Sequence, residues 1–466
     1  MNITSKKSRL SGSVVVPGSK SHTIRALILA TIAEGTSHIK NPLPSADCLS
    51  TAAAVPLIGS MVDLNLSTEG EPGTSWTVCG AGSQVHLPDD VINVGNSGSL
   101  LYFLAPIAAT FDGDTVFTGD DSIRKRPVQH VIDSINQLSD KKSFVTVPGK
   151  NGCPMVIRGP IHSGTVKTEG EISSQYVTGL MLAGILLDGG IKLELSNPKE
   201  TPYLTMTQKW FEKVGVECSI SDDFKKIEVK QNKNLKAFTT TIPSDWEGVA
   251  FPLVAGLLSE SGSKITIENI DGSGTQGDDA IVKILQSVGG KIVWDKEKCT
   301  ITVEPSRLTT ENLPDKTLRV KMSPFPDAIC ALAVAACFTE GTTILEDAAV
   351  CRRKETDRIK VLKIELSKLG AEVEEKEDAL IIHGHAPFLA NGGKNPEFVL
   401  HGGLCESYMD HRMAMSLACL GIGLPKGESV IVKDAECCSV SFPKFFEVMR
   451  GIGCSFEELD VISMNL

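Results

Sequence analysis

Apolar positions recur along the chain in two patterns, each of which combines a helix with strands. In the first pattern an apolar helical stretch leads to a glycine and then a strand, at Gly35, Gly113, Gly190, Gly262, Gly341 and Gly427. Their spacing of roughly 80 residues is longer than the period of the common solenoid repeats. Glycine near the end of a helix adopts the left-handed conformation that turns the chain back. The pattern therefore predicts six repeated units in a compact arrangement rather than a solenoid.

The second pattern is a helix, an apolar residue, a glycine and two short strands. Its glycines are Gly59, Gly215, Gly289, Gly370 and Gly453, and Ser139 takes the corresponding place in a degenerate copy. Each unit thus contains about two helices and several strands. Because 466 residues exceed the usual size of one domain, we expect two domains of three units each. The segment near residues 241–246 is the predicted boundary.

Composition narrows the class of protein. With 41% hydrophobic and 22% charged residues the chain is typical of a soluble globular protein, and its net charge of −11 argues against general binding to nucleic acid or acidic membranes. Thirteen cysteines occur without CxxC or zinc-ligand spacing, which predicts free thiols in a reducing compartment and no metal site. The start has no signal-peptide pattern, and the apolar stretches at 326–338 and 413–424 are too short to cross a bilayer. We therefore expect a cytoplasmic protein.

Three clusters of cations lie at the edges of apolar helices. They are residues 351–358 (CRRKETDR), residues 17–25 (PGSKSHTIR) and residues 410–412 (DHR). Arginine clamps phosphate or carboxylate with two hydrogen bonds, whereas lysine acts as a movable point charge. The alternatives are a solvated helix face of paired charges for 351–358 and a simple helix cap for Ser21. Together the clusters predict a site for a small, doubly anionic substrate.

Three further loops precede predicted helices. The loop NSGS at 96–99 leads into a predicted helix over 100–110, and its Gly98 would let a ligand approach the backbone. The loop DDSIRKRP at 120–127 places three cations before a helix that Pro127 is predicted to open. The loop GEISSQY at 170–176 offers two hydroxyls at a helix start, which suits either capping or a bound phosphate.

Two carboxylates are candidates for proton transfer. Asp327 is an isolated acid at the start of an apolar helical stretch, where it is either an N-cap or a general base. Glu355 stands between Lys354 and Asp357, where helix-surface pairing is the alternative to a role in catalysis.

These motifs occur together in the order found in one family. The motifs PGSKSHTIRALILA, NVGNSG, DDSIRKRP, GEISSQY, PFPDA, RKETDR and YMDHRMA, over residues 8–450, resemble the enolpyruvyl transferases, and among them the branch that acts on shikimate 3-phosphate. The resemblance implies an α/β fold called an inside-out α/β barrel, with two domains of three βαβαββ repeats each. It implies an N-terminal domain at 19–243 and a C-terminal domain made of 1–18 and 244–466.

The resemblance also implies a site. The residues that would hold shikimate 3-phosphate are Ser21, Arg25, Ser173, Ser174, Gln175, Tyr203, Asp327 and Lys354. Those that would hold phosphoenolpyruvate are Lys20, Gly98, Arg126, Gln175, Arg358 and Arg412, with Asn96 in the same substrate-binding set. Asp327 and Glu355 would exchange protons with the substrates, and Lys20 would assist.

The implied reaction transfers the enolpyruvyl group of phosphoenolpyruvate to the 5-hydroxyl of shikimate 3-phosphate and releases phosphate, on the route to chorismate. It implies a monomer with small-molecule substrates and no metal or organic cofactor, nucleic acid or membrane partner. The alternatives are a related transferase for a UDP-sugar or another phosphorylated cyclitol, and a catalytically silent phosphate-ester binding protein. Ser21 and the pair Asp121-Ser122 differ from the residues usual in the UDP-sugar branch, which favours shikimate 3-phosphate.

Four positions depart from the residues usual in the family. Tyr102 replaces an arginine, Val350 an asparagine, Val440 a lysine and Glu200 a serine. An anion at position 200 would repel the 3-phosphate unless its side chain is turned away. Lys433 and Arg353 are the cations near enough in sequence to replace the lysine missing at Val440.

Overall fold

A computed structural model describes residues 1–459. The α-helices are α1 Lys20–Ile32, α2 Ala46–Ala54, α3 Gly98–Ala108, α4 Gln129–Asn136, α5 Ser174–Gly184, α6 Thr201–Val214, α7 Trp246–Leu258, α8 Ala280–Ser287, α9 Ile329–Cys337, α10 Arg358–Lys368, α11 His411–Gly423 and α12 Phe445–Gly451. The strands are β1 Asn2–Lys6, β2 Ser11–Val15, β3 Glu34–Lys40, β4 Met61–Asp63, β5 Ser75–Ala81, β6 Ile92–Asn93, β7 Gly113–Thr118, β8 Phe144–Val145, β9 Met155–Gly159, β10 Gly164–Glu169, β11 Ile191–Ser196, β12 Cys218–Ile220, β13 Lys226–Val229, β14 Thr239–Thr241, β15 Lys264–Glu268, β16 Lys291–Asp295, β17 Thr300–Glu304, β18 Leu308–Thr309, β19 Thr317–Lys321, β20 Thr339–Glu346, β21 Glu372–Lys376, β22 Ala379–Gly384, β23 Gly403–Glu406, β24 Ser429–Lys433 and β25 Ser455–Leu459.

The described strands form six small sheets that share one plan. In the sheet of order β10-β11-β13-β12, β10 and β11 are parallel and joined through α5, and the other two pairs are antiparallel. The sheets β14-β3-β5-β4, β6-β7-β9-β8, β2-β15-β17-β16, β18-β20-β22-β21 and β23-β24-β1-β25 repeat this plan, with β19 added beside β20. A parallel pair needs a crossover helix, whereas an antiparallel pair closes with a tight turn. The predicted βαβαββ repeat and the α/β class are confirmed.

The chain divides into two compact units. The N-terminal unit is Gly18–Pro243, and the C-terminal unit is Met1–Pro17 together with the chain from Ser244 onward. In the C-terminal unit β1 lies between β24 and β25, and β2 pairs in parallel with β15. In the N-terminal unit the strand parallel to β3 is β14, from the end of that unit. One strand in the N-terminal unit, β14, and two strands in the C-terminal unit, β1 and β2, therefore pair with strands from a distant part of the sequence.

Each unit has its own apolar core around three central helices. These are α1, α3 and α5 in the N-terminal unit and α7, α9 and α11 in the C-terminal unit, and nearly all of their residues are buried. Such helices are apolar on every face because neighbours surround them. A Cβ atom on Gly179 of α5 would overlap the Tyr102 carbonyl of α3, so this glycine permits close packing of the two helices. Most of the polar candidates therefore lie at or near the helix ends, although Arg25 is buried within the body of α1.

Several element boundaries differ from the predictions. The helix α1 begins at Lys20 after the N-cap Ser19, so Ser21 lies inside its first turn and is not the cap. The helix α4 begins at Gln129 rather than at Pro127, because Asn151 Oδ1 accepts hydrogen bonds from the amides of residues 128 and 129. Asp327 lies in a 3-10 turn before α9 and does not cap that helix.

The glycines of the two sequence patterns occupy different positions in the structure. Gly215 is the left-handed C-cap of α6, with φ of 78°, as the second pattern predicts. Gly341 of the first pattern has φ of 109° but lies within β20, past the end of α9. The first pattern therefore marks the start of a strand, where the chain turns sharply, rather than the end of a helix.

Two further expectations concern the whole chain. No helix among residues 1–459 is long and apolar enough to cross a bilayer. The thirteen cysteines are free thiols and most are buried. Burial raises the pKa of Cys337 to about 12, as it does for several others, which keeps these thiols protonated and unreactive.

Candidate active site

Asp327 is the centre of a charged cluster in the C-terminal unit. Its Oδ1 accepts hydrogen bonds from Arg358 Nη1 at 2.6 Å and Arg412 Nε at 3.0 Å, and its Oδ2 from Lys354 Nζ at 3.2 Å. Glu355 Oε2 accepts from Arg358 Nη2 at 2.7 Å. The structure thus brings together the five candidate residues of this unit, from three separate motifs. The run 351–358 is not a helix face, because α10 begins only at Arg358; Lys354 and Arg358 contact Asp327, whereas Arg353 is exposed.

Both arginines of the cluster are buried. The side chain of Arg358 is 0% exposed and that of Arg412 is 2% exposed. Burial lowers the pKa of each, but the carboxylates around them outweigh burial, so the pKa of each is raised. Asp410 and Glu355 act on Arg358, and Glu247 and Asp327 on Arg412. The site therefore holds two permanent positive charges out of water, where their attraction for an anion is little screened.

Asp410 is a member of this cluster that sequence reasoning did not assign to the site. It is fully buried and accepts from Arg358 Nε at 2.8 Å and Thr356 Oγ1 at 3.0 Å. Its Oδ1 also accepts from the Arg412 amide at 3.0 Å, which caps α11. Burial acts to raise the pKa of Asp410, but Arg358 outweighs it and the pKa is lowered. Asp410 lies two residues before Arg412 in the DHR cluster, but only its bonds to Arg358 show that it belongs to the site.

Two other acids of the C-terminal unit were also missed. Glu247, in the first turn of α7, contacts Arg412 Nη2 through its carboxylate. Asp278 is fully buried, and its Oδ1 has no hydrogen-bond partner among the described residues. Burial, followed by the neighbouring Glu247 and Asp327, raises the pKa of Asp278 well above its usual value. No local sequence pattern distinguishes either residue, since their proximity to Arg412 arises only on folding.

Arg25 is the buried cation of the N-terminal unit. Its guanidinium donates to the Ser21 carbonyl at 3.0 Å, the Tyr203 carbonyl at 3.2 Å and the hydroxyls of Thr178 and Thr207. These acceptors are neutral, and burial lowers the pKa of Arg25 to about 9. A buried charge held by neutral groups is costly unless an anion joins it. The predicted residues Ser21, Arg25 and Tyr203 thus lie together at a place that favours an anion.

The start of α5 holds a second group of predicted residues. Ser173 is the N-cap, and its Oγ accepts from the Gln175 amide at 3.1 Å, so the capping role is realised. The Ser174 amide and hydroxyl both donate to Glu200 Oε2, each at 3.1 Å. Gln175 Nε2 donates to Ser99 Oγ at 3.1 Å, which connects α5 to the start of α3. The Glu200 side chain is therefore not turned away from this helix start, because both donors of Ser174 bind its carboxylate.

The remaining candidates of the N-terminal unit lie at the starts of α1 and α3. The Arg126 guanidinium packs directly on Gly98, and a Cβ atom at Gly98 would overlap it. Asn96 Nδ2 donates to Asp47 Oδ2 at 3.2 Å. Lys20 is the half-buried first residue of α1. Gly98 is therefore needed for the approach of the arginine as well as for any approach of a ligand.

The departures from the family pattern have simple structural accounts. Tyr102 is buried and its hydroxyl donates to the Pro127 carbonyl at 2.7 Å. Val440 is half-buried and ends a 3-10 helix. Of the two cations suggested to replace the lysine missing there, Lys433 donates to Glu406 at 2.7 Å and Arg353 is exposed. Neither contributes to the cluster around Asp327.

Comparison with known proteins agrees with this arrangement. The EPSP synthase (3-phosphoshikimate 1-carboxyvinyltransferase) family model matches residues 4–449. A 3-phosphoshikimate 1-carboxyvinyltransferase of Ruminiclostridium cellulolyticum is 37% identical over 97% of this chain and 98% of its own, and one of Methanococcus maripaludis is 34% identical over 98% and 100%. The solved EPSP synthase of Acinetobacter baumannii aligns with a TM-score of 0.79 at 25% identity, covering 98% of this chain and 99% of that one, which confirms the expected two-domain α/β fold. The chain belongs to the EPSP synthase (3-phosphoshikimate 1-carboxyvinyltransferase) family.

Proposed function

We propose that the protein transfers the enolpyruvyl group of phosphoenolpyruvate to the 5-hydroxyl of shikimate 3-phosphate and releases phosphate. The observation that carries the proposal is the contact of Lys354, Arg358 and Arg412 with the single carboxylate of Asp327, in a chain of this family. The reaction belongs to chorismate and aromatic amino acid biosynthesis. It unites two anionic substrates, and buried cations beside carboxylates suit both their binding and the proton transfers that follow.

The family resemblance assigns two groups of substrate-binding residues, and the contacts among them support this assignment. Arg25, Ser21, Tyr203 and the hydroxyls at the start of α5 would hold shikimate 3-phosphate, together with Asp327 and Lys354. Arg358, Arg412, Lys20, Arg126, Gly98, Asn96 and Gln175 would hold phosphoenolpyruvate. Arginine suits this task because its planar donors match the oxygens of carboxylate and phosphate.

The proton transfers would fall to Asp327 and Glu355, with Lys20 assisting. Addition requires the 5-hydroxyl to lose a proton as its oxygen bonds to C2 of phosphoenolpyruvate, while C3 gains a proton. Elimination then removes a proton from C3, breaks the bond from C2 to the phosphate oxygen and restores the double bond. A general acid or base contributes roughly a hundred- to ten-thousand-fold in rate. The surrounding cations stabilise the phosphate as it leaves.

We also propose the organisation of the working protein. The two units would be the two domains, with the N-terminal unit on the shikimate-phosphate side and the C-terminal unit carrying the catalytic carboxylates. The protein would act as a cytoplasmic monomer without nucleic acid or membrane partners, which the net charge of −11 favours.

An assay of phosphate release tests the function. The purified protein is incubated with phosphoenolpyruvate and either shikimate 3-phosphate or UDP-N-acetylglucosamine, and the organic product is identified by mass spectrometry. We expect phosphate and a carboxyvinyl product only with shikimate 3-phosphate. Product from the UDP-sugar alone would support the other branch of transferases. Binding of shikimate 3-phosphate without any product would instead support a silent phosphate-ester binding protein.

A further inference from the structure

Glu200 lies at the predicted phosphate-binding end of α5. It immediately precedes α6, has φ of 50° and is 7% exposed. A left-handed conformation is uncommon for a residue other than glycine and persists where the surroundings fix it. The carboxylate Oε2 accepts both donors of Ser174, the amide and the hydroxyl. The structure therefore places a buried anion on these two donors.

These donors are the ones that a phosphate would use. A free amide at the N-terminus of a helix, with an adjacent hydroxyl, attracts phosphate and carboxylate for the same reason, the partial positive charge of the helix end. The N–H and O–H of Ser174 each have one hydrogen to donate. A phosphate oxygen that takes both must therefore displace the Glu200 carboxylate.

The first turn of α6 connects the backbone of Glu200 with Arg25. The Tyr203 amide donates to the Glu200 carbonyl at 3.1 Å, and the Tyr203 carbonyl accepts from Arg25 Nη2 at 3.2 Å. Arg25 itself contacts neutral oxygens. An anion that takes the Ser174 donors would meet the repulsion of the Glu200 carboxylate, which holds those donors.

We propose that Glu200 is a specificity-determining residue that occupies the Ser174 donors until the substrate phosphate displaces it. The inference rests on the proposed function. With Glu200 present, the protein should bind shikimate 3-phosphate less tightly. Its preference for the phosphorylated over the unphosphorylated substrate should also be smaller. A hydroxyl of unphosphorylated shikimate could donate to the carboxylate, whereas a phosphate dianion must compete with it.

Replacement of the carboxylate tests the proposal. In Glu200→Ser we expect the KM for shikimate 3-phosphate to fall on the order of tenfold, since a competing charge-assisted bond is lost. The KM for phosphoenolpyruvate should stay within about twofold, because the change acts on one substrate only. The ratio of kcat/KM for shikimate 3-phosphate to that for shikimate should rise. Glu194→Ser is the matched control, since it makes the same change on the exposed face of β11, where Glu194 pairs with Lys167.

A second variant distinguishes the loss of the charge from misfolding of the protein. Glu200→Gln keeps the shape and a carbonyl acceptor for Ser174 but removes the charge, and we expect a severalfold fall in the same KM. Calorimetric titration with shikimate 3-phosphate gives the dissociation constant without turnover and should show the same changes. An unchanged or raised KM and dissociation constant in the folded variants would overturn the inference. If the wild-type protein forms no product from shikimate 3-phosphate, the proposed function fails, and that result is separate from the effect of Glu200→Ser on binding.

Discussion

Arg358 and Arg412 determine how the acids of the C-terminal unit behave. Each arginine is fully buried, and each contacts Asp327 and at least one further carboxylate. Replacing a buried ion pair with apolar residues often costs nothing in stability, whereas removal of one partner costs about 3–5 kcal/mol. Stability alone therefore gives no reason for such a cluster. A requirement to bind anions and move protons gives a reason for this cluster.

Neutral replacement of the two carboxylates separates chemistry from binding. We expect Asp327→Asn and Glu355→Gln each to lower kcat by roughly a hundred- to ten-thousand-fold, because proton transfer is lost. Binding of shikimate 3-phosphate, measured by calorimetry, should largely persist. Glu375→Gln is the control, since Glu375 pairs with Arg352 outside the Asp327 cluster. Near-normal turnover in both site variants would refute the assigned mechanism.

Val440 offers a gain-of-function test. The family usually has a lysine there, and neither Lys433 nor Arg353 replaces its charge at the Asp327 cluster. A charge-assisted hydrogen bond contributes about 1.5–3 kcal/mol, or roughly one to two decades in affinity. We expect Val440→Lys to lower the KM for phosphoenolpyruvate and to leave that for shikimate 3-phosphate nearly unchanged. A raised KM would show that another cation already fills this role.

From the burial of His130 we expect part of the free energy of unfolding to depend on pH. Burial lowers the pKa of His130 to about 4, and its Nε2 has no hydrogen-bond partner among the described residues. The unfolded chain, with a histidine pKa near 6.5, therefore binds a proton that the folded chain does not. The free energy of unfolding should fall as pH decreases from 6.5 to 4, by up to about 3 kcal/mol for this group.

Urea unfolding at several pH values measures this dependence. The variant His130→Phe keeps an aromatic ring beside Tyr176, whose ring centroid is 4.5 Å from that of His130, and should lose part of the decrease. His162→Phe is the control, because the side chain of His162 is 63% exposed. An equal pH dependence in the wild type and His130→Phe would contradict the assignment.

At the scale of elements, the buried helices place the candidate residues at their N-terminal ends. The starts of α1, α3 and α5 carry Lys20, Gly98 and Ser174, and the start of α11 carries Arg412. Free amides and the helix dipole at such ends favour anions. The apolar bodies of the same helices form the core of each unit. Each of these helices therefore packs in the core of its unit and also carries a candidate site residue at its start.

Two helix caps should differ in their contribution to stability. Asp357 caps α10, and its side chain is 33% exposed, so Asp357→Ala should cost about 1 kcal/mol. Asp410 caps α11 and also neutralises the buried Arg358, so Asp410→Ala should cost about 3–5 kcal/mol. Chemical denaturation of both variants measures the difference. Equal losses would show that Asp410 acts only as a cap.

At the scale of the whole molecule, three consecutive repeats make up one unit. Gly18–Pro243 contains its own core and completes its first sheet with β14, from the end of the same segment. The C-terminal unit instead needs β1 and β2 from the start of the chain. The N-terminal unit is therefore continuous in sequence and the C-terminal unit is not.

This difference predicts how fragments behave. A fragment of residues 18–243 should unfold in one cooperative transition, because no strand of its sheets is missing. A fragment that begins at residue 244 should fold only when residues 1–17 are attached to it, for example by circular permutation. Circular dichroism during denaturation measures both. A non-cooperative 18–243 fragment would contradict the proposed domains.

The local pattern of the sequence determined the repeats, the α/β class and most helix positions. These features depend on neighbours in sequence, such as apolar periodicity and glycines with positive φ. The motifs also supplied the candidates Asp327, Lys354, Glu355, Arg358 and Arg412, because residue type and spacing identify an anion site and the family resemblance assigns its members. Helix starts were less accurate, as Lys20 and Gln129 show, because neither N-cap residue makes a side-chain capping hydrogen bond that a sequence pattern would mark.

Only the tertiary structure decided which charges meet. Glu247 and Asp278 lie far from Arg412 in sequence, and Asp410 became recognisable only when its bonds to Arg358 were seen. The sequence left open whether Glu200 turns away from the predicted phosphate site, and in the structure its carboxylate accepts the hydrogen bond of the Ser174 hydroxyl. The strength of such interactions depends on distance and on exclusion of water. Both quantities are set by packing between repeats, which local sequence does not specify.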